Sequence, residues 1–109
     1  MTEIITAPEA VRRMLHELGI PINHNGYRRL CVGIPHYAHN PEQSLTKELY
    51  PYIAKTIGNT SAVVVETAIR RAILYGWQNG DPEAWNRYFS VPTRVPTNLT
   101  FIATLAEHL

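Results

Sequence analysis

The sequence predicts an all-α fold, a bundle of about six helices that contains a helix-turn-helix. Apolar residues recur at helical spacing in several segments, and Gly, Pro and capping residues separate these segments. None of them shows the alternation of apolar and polar residues that is typical of strands. A length of 109 residues suits a single domain, 1–109, with a modest core.

Composition excludes several classes of protein. Hydrophobic residues make up 45% of the chain and charged residues 17%, which indicates a soluble globular protein rather than a disordered one. The sequence has neither an apolar run long enough to span a membrane nor a secretory signal, and Cys31 is its only cysteine. We therefore expect a cytoplasmic protein. The formal net charge is only +1, so bulk charge does not predict nucleic-acid binding.

Helix one is predicted at about 7–18. Thr6 and Glu9 form a capping-box pattern with Pro8 in the first turn, and Gly19 provides the stop. The apolar residues between these signals follow helical spacing. This helix therefore has a start signal, an apolar face and an end signal.

Helices two and three each contain a proline. Helix two is predicted at 26–38, bent or broken near Gly33–Pro35, because Pro removes a backbone donor. Helix three begins at Ser44 and has apolar residues at every fourth position up to residue 57. Pro51 lies inside that pattern, so either the helix is kinked there or Pro51 occupies the first turn of its continuation.

Helix four is predicted over about 61–78, within the stretch NTSAVVVETAIRRAILYGW. Gly58–Asn59 separates it from helix three, Thr60 or Ser61 provides its cap, and Gly80 ends it. One face is apolar and is expected to pack on the core; it comprises Val65, Ala68, Ile69, Ala72, Ile73 and Trp77. Two helices joined by a short Gly-containing turn constitute a helix-turn-helix.

The remaining elements are two shorter helices. Asp81–Pro82–Glu83 predicts the start of helix five, which runs to about Phe89. The prolines of SVPTRVP favour an extended loop, after which Thr97 or Asn98 caps the last helix. We assign three large aromatic residues of helices four and five to the core, namely Trp77, Trp85 and Tyr75.

The sequence resembles the family of C-terminal DNA-binding domains of stage 0 sporulation protein A, the response regulator that starts sporulation in Firmicutes. The resemblance rests on five stretches in the same order: LHELGIP (15–21), NGY (25–27), LTKELYPYIAK (45–55), ETAIRRAILYGW (66–77) and PTN-LTFIATLAEHL (96–109). It implies a six-helix fold of the winged-helix or helix-turn-helix type, with helices three and four as the motif. It also implies transcription regulation, with double-stranded DNA and RNA polymerase as partners.

The resemblance implies which residues read bases, because helix four of the family enters the major groove. The corresponding positions here are Val64, Glu66, Thr67, Arg70 and Arg71. Glu66 and Arg70 are retained, Arg71 replaces a histidine, and Val64 and Thr67 replace arginines of the family. Arginine makes bidentate bonds to guanine that valine cannot make, so we expect an altered operator.

Phosphate contacts are expected at helix ends and on the turn of the motif. The candidates are Lys47, Lys55, Thr60 and Ser61, with Arg87 and Arg94 as further ones. For Glu66, a local pair with Arg70 is as good an interpretation as a DNA contact. Without the family resemblance, arginines on a helix surface would be read as solvated charge.

Neither a metal site nor an enzyme is predicted. His36 and His39 are three residues apart, but Pro35 is expected to disrupt their helix, and no second ligand pair with zinc spacing exists. The sequence has no phosphate-binding glycine loop and no nucleophile motif. No cofactor is therefore expected.

The family implies an N-terminal receiver domain, which this sequence does not contain. The sequence is either an excised domain or a stand-alone protein, and we expect the latter, monomeric alone and able to pair on tandem DNA sites. The alternative function is a helical adaptor for a protein partner, with Val63, Val64 and Leu74 as its contact patch. The low net charge and the replaced arginines favour the adaptor; the helix-turn-helix favours DNA binding.

Overall fold

The computed structural model describes residues 2–90 and 93–109, with side chains from residue 9 onward. This part of the chain is all-helical, as predicted, and has no β wing beside the helix-turn-helix. It forms six α-helices and one π-helical segment: α1 (Thr2–Glu17), α2 (Asn25–His39), the π segment (Leu45–Leu49), α3 (Tyr50–Ile57), α4 (Ala62–Asn79), α5 (Pro82–Phe89) and α6 (Asn98–Glu107).

The start of α1 differs from the prediction. The backbone is helical from Thr2, five residues before the predicted start, so position 6 lies within the helix. The predicted capping interaction of the Thr6 side chain falls outside the described side chains. At the other end, α1 stops at Glu17, and Gly19 has the positive φ expected of a helix stop.

Of the two alternatives for α2, a bend or a break near Gly33–Pro35, the break is wrong, because the helix is continuous from Asn25 to His39. The proline costs one intrahelical hydrogen bond. Leu30, Ile34 and Tyr37 are nevertheless buried along the same side of the helix. Their packing holds α2 together across the proline, which is a tertiary effect that local propensity does not include.

Of the two alternatives for Pro51, the structure shows the second: it lies in the first turn of α3. The π segment ahead of it has wider backbone rings, in which the N–H of Leu49 donates to the carbonyl of Ser44 at 3.0 Å. Pro51 has no N–H to donate, so the series of backbone hydrogen bonds along the helix is interrupted at this residue. The change from π to α geometry falls at the same place. Ser44 caps this segment by accepting the N–H of Lys47 at 3.1 Å.

Side-chain caps start the last three helices as the sequence predicts. Ser61 accepts the N–H of Val64 at 3.3 Å, so it is Ser61 and not Thr60 that caps α4. Asp81 accepts the N–H of Glu83 at the start of α5. Thr97 caps α6, which leaves the side chain of Asn98 free for a different contact.

The core lies where α2 meets α1, α4 and α6. Its largest fully buried side chains include Leu15, Leu30, Ile69 and Phe101. Buried Trp85 donates its indole N–H to the carbonyls of Leu18 and Gly76, each at 3.1 Å, and so connects α5 to α4 and to the end of α1.

The aromatic assignments hold for the two tryptophans and fail for the tyrosine. Trp85 is buried and Trp77 half-buried, and their rings meet edge to face at 5.4 Å. The prediction that Tyr75 belongs to the core is wrong, because its side chain is 43% exposed. Tyr75 stands one helical turn after Arg71, on the outer side of α4, where its ring lies 5.6 Å from that of His24.

Candidate nucleic-acid interface

The turn between α3 and α4 is built from two residues with positive φ. Gly58 has φ 84° and Asn59 has φ 55°, a backbone region that glycine and asparagine tolerate better than other residues. Both stand between the end of α3 and the cap of α4. The sequence Gly-Asn therefore reverses the chain within a few residues and sets the angle at which α4 leaves α3.

One side of α4 anchors the helix and the other side is open to solvent. The buried side consists of Val65, Ala68, Ile69, Ala72, Ile73 and Gly76. On the open side, Val63 is 71% exposed and Val64 is 50% exposed, and Glu66, Thr67 and Arg71 are also exposed. Four of the five predicted base readers are thus together on one accessible surface; the fifth, Arg70, is half-buried.

Arg70 is held by the loop that precedes α6. Its guanidinium donates to the carbonyl of Pro96 at 2.6 Å, across 26 positions of sequence. This bond uses one N–H of the guanidinium, and both interpretations of Glu66, a local pair with Arg70 and a DNA contact, stay predictions. Arg70 therefore links α4 to the loop, and the carboxylate of Glu66 stays exposed.

Asn98 makes a second link between the start of α6 and α4. Its amide donates to the hydroxyl of Tyr50 at 3.1 Å and to the backbone carbonyl of Glu66 at 3.2 Å. Burial raises the pKa of Tyr50; the hydrogen bond from Asn98 lowers it in part, and the nearby Glu66 carboxylate raises it, so the net shift is upward and the hydroxyl stays protonated. One side chain thus connects both helices of the helix-turn-helix to α6.

Grooves flank the exposed side of α4 on its two edges. The α6-side groove, about 680 Å³ in volume, runs between α4 and the residues Leu45, Thr46, Tyr50, Thr97, Asn98 and Leu99. The α2-side groove, about 600 Å³ in volume, runs between α4 and the segment Asn23, His24 and Asn25. Thr67 and Arg71 line both grooves, so they form a ridge between them, which we call the α4 ridge.

The predicted phosphate contacts differ in accessibility. Lys47, Lys55 and Ser61 are exposed, and they lie on the π segment, in the last turn of α3 and at the start of α4. The hydroxyl oxygen of Thr60 is buried and has no hydrogen-bond partner. In this conformation a phosphate can reach the first three side chains but not the Thr60 hydroxyl.

Sequence reasoning did not find the residues that flank the ridge. Asn23, His24 and Asn25 stand about 40 positions before α4, and Asn98 stands about 30 positions after Glu66. No local pattern marks them as neighbours of α4. Their placement follows from the packing of α2 and α6 against α4, which only the tertiary structure reveals.

The described residues contain neither a cluster of metal-binding side chains nor a membrane-spanning helix. Within 2–90 and 93–109 there is no group of three or more His, Cys, Asp or Glu side chains that could hold a metal ion. Contrary to the prediction, Pro35 does not disrupt the helix that carries His36 and His39, since α2 includes both. The ring of His36 stacks on that of Tyr52, with the ring centroids 3.7 Å apart. Among the same residues, no helix is long and apolar enough to cross a membrane.

The described chain has the parts of the helix-turn-helix class of DNA-binding proteins. These parts are a helix, a tight turn with positive φ, and a second helix whose outer side is accessible and carries polar residues. A family model described as "Sporulation initiation factor Spo0A C terminal" matches residues 11–109. The chain therefore belongs to this family of DNA-binding effector domains of a sporulation regulator. The family is a class of regulatory domains and not of enzymes, and its partner is DNA.

Proposed function

We propose that the chain is a transcription regulator that inserts α4 into the major groove and reads an operator altered from that of its family. The observation that carries the proposal is the open side of α4. Glu66, Thr67 and Arg71 are exposed there, and no other part of the described chain covers them. A helix of this kind, about 10–12 Å across with its side chains, fits a major groove about 12 Å wide.

Each proposed reader has a definite chemistry. Arg71 can donate two hydrogen bonds to guanine O6 and N7, and Glu66 can accept one from cytosine N4. Thr67 can make one hydrogen bond or contact a thymine methyl group, and Val64 can make only the apolar contact. This set replaces two arginines of the family, each worth about 1–3 kcal/mol of discrimination, by weaker readers. The preferred bases at those two positions should therefore change.

Arg70 has a double role in this proposal. Its bond to the Pro96 carbonyl uses one of five N–H groups, and the side chain also lines the α6-side groove. The remaining donors are available to a base edge or a phosphate at that edge of α4. We infer that Arg70 fixes the orientation of the helix while contacting DNA, whereas Arg71 acts on DNA alone.

Phosphates on either side of the groove complete the interface. Lys47 carries a positive charge on the π segment and Lys55 on α3, the first helix of the motif, which is the part that crosses the DNA backbone in this class. Ser61 adds a neutral donor at the start of α4. On DNA, we propose that the protein binds as a monomer or as a tandem pair and contacts RNA polymerase from there.

Selection of bound duplexes from a random pool tests the proposal. The unaltered protein should enrich one short motif. The double variant Val64→Arg/Thr67→Arg, which restores the arginines of the family, should enrich a different motif with added guanines at two positions. Asn86→Arg, an exposed substitution on α5, provides the control for added charge and should leave the motif unchanged.

Failure to enrich any motif with either protein would overturn the proposal. The exposed Val63 and Val64 favour an adaptor as the second candidate, since two adjacent apolar side chains at the start of α4 offer a surface to a protein partner. Leu74, the third residue of the predicted contact patch, is half-buried, so its predicted exposure is wrong. A salt titration with random duplex separates the two. DNA binding weakens steeply as salt rises, because binding releases counterions, whereas an adaptor shows little affinity at any salt concentration.

A further inference from the structure

The α2-side groove places polar residues from the segment before α2 next to the α4 ridge. Asn23 and Asn25 are exposed, and the groove that they line is shared with Val64, Thr67 and Arg71. We propose that Asn23 and Asn25 form a second contact to the DNA backbone, on the opposite side of α4 from the π segment and α3. This inference rests on the proposed insertion of α4 into the major groove.

The shape of the duplex places a phosphate backbone beside α4 on the edge that faces Asn23 and Asn25 as well. A helix of about 10–12 Å in a groove of about 12 Å brings a phosphate backbone close to each of its edges. On one edge, Thr46 of the π segment lines the α6-side groove. On the other edge, Asn23, His24 and Asn25 line the α2-side groove. The elements that line the two grooves are therefore the parts of the chain that the two DNA strands meet.

The chemistry of this segment suits phosphate better than bases. Asparagine amides donate to phosphate oxygens without requiring a particular base. The Nδ1 of His24 accepts the N–H of Gly26 at 3.1 Å and so holds the start of α2. That bond fixes the segment relative to α2, and α2 packs directly on α4. The two asparagines are thus presented at a fixed distance from the ridge, as a backbone contact requires.

A charge-gain substitution tests this inference with a positive signal. Asn23→Lys should raise the affinity for a duplex of random sequence. The slope of log K against log salt should become steeper by about 0.9, which is the change expected when one further phosphate is neutralised. The affinity ratio between variant and wild type should therefore fall about 3.5-fold from 50 to 200 mM salt. Asn86→Lys on α5 adds the same charge beside Trp77, at the other end of α4, and should leave the slope unchanged.

Two alanine substitutions, which do not change the charge, test the proposed contact in a second way. Asn23→Ala and Asn25→Ala should each weaken binding about two- to tenfold, equally for the selected operator and for random duplex, because the contact carries no sequence information. Circular dichroism during thermal unfolding checks that each variant is folded.

The outcomes separate this inference from the proposed function. If the unaltered protein binds DNA but the slopes of Asn23→Lys and Asn86→Lys coincide, the second contact is refuted and the insertion of α4 stands. If Asn23→Ala loses only the operator preference, the segment reads bases and the inference is wrong. If no variant binds any duplex, the proposed function fails, and this inference fails with it.

Discussion

Replacing Gly26 with alanine tests the packing of α2 on α4. A Cβ on Gly26 would collide with the backbone carbonyl of Ala68 and lie 2.6 Å from the Cβ of Ala72. Neither neighbour is the end of a flexible side chain, so the two helices themselves must separate. Because α4 carries the proposed readers, this substitution strains the support of the recognition helix directly.

The size of the effect follows from two opposing contributions. Overpacking in a well-packed core costs about 1–3 kcal/mol. Replacing glycine by alanine within a helix returns about 0.5–1 kcal/mol through the unfolded chain and helix propensity. The free energy of unfolding should therefore fall by about 1 kcal/mol, and by no more than about 2.5 kcal/mol.

Gly33 in the same helix provides the matched control. Its added Cβ would lie 2.6 Å from the Cδ1 of Ile53, which is the end of a flexible side chain and can rotate away. Gly33→Ala should thus be close to neutral or mildly destabilising. Urea unfolding followed by circular dichroism measures both variants. A Gly26→Ala protein as stable as Gly33→Ala would refute the reasoning, because it would mean that the two helices can move apart at no cost.

Three further predictions concern the arginine pair, the buried tryptophan and the cysteine. Arg71→Ala should keep the free energy of unfolding within about 0.5 kcal/mol of wild type but weaken operator binding by about 1–3 kcal/mol. Arg70→Ala should lower both the free energy of unfolding and the affinity for the operator, since it also removes the bond to the Pro96 carbonyl. Urea unfolding measures the stability of the two arginine variants, and fluorescence anisotropy measures their DNA binding. Equal stability of Arg70→Ala and Arg71→Ala would argue against the bond. Trp85→Phe should destabilise the fold by about 1–3 kcal/mol in urea unfolding, because the buried Leu18 carbonyl loses its donor and the Gly76 carbonyl keeps only the N–H of Gly80; an unchanged midpoint would contradict this. Burial raises the pKa of Cys31 to about 11, so the thiol stays protonated at pH 8. Alkylation of Cys31 by iodoacetamide should therefore be much slower in the native protein than in urea. Equal rates would show that the fold does not protect the thiol.

Local sequence signals predicted the helices because their caps act within three residues. Ser61, Asp81 and Thr97 each bond to a backbone N–H two or three positions later, so the local sequence restricts each cap to one or two neighbouring residues. The same locality explains the failures. Pro35 disfavours a helix locally, yet α2 continues through it because the buried residues around it pack on other helices. Tyr75 was assigned to the core from its aromatic character, although its position in the helix is one turn from exposed Arg71.

The candidate interface was predictable only along α4 itself. Helical spacing placed Glu66, Thr67 and Arg71 on the side opposite the apolar residues, and the structure shows them exposed. The contact of Arg70 with Pro96 was not predictable, because it joins positions 26 residues apart through a loop of irregular backbone. Nor could spacing reveal the asparagines beside the ridge, since they reach α4 only after α2 has docked.

The loop before α6 has a consequence for anyone engineering this protein. Surface connections usually tolerate added residues, and fusion tags or reporter domains are commonly inserted in them. Here the connection provides the Pro96 oxygen that holds Arg70, and the amide of Asn98 just beyond it holds Tyr50 and Glu66. A reporter spliced at positions 95–98 would break this attachment of α4, the helix proposed to meet DNA, whereas one fused after the exposed end of α6, at residues 107–109, would leave it intact.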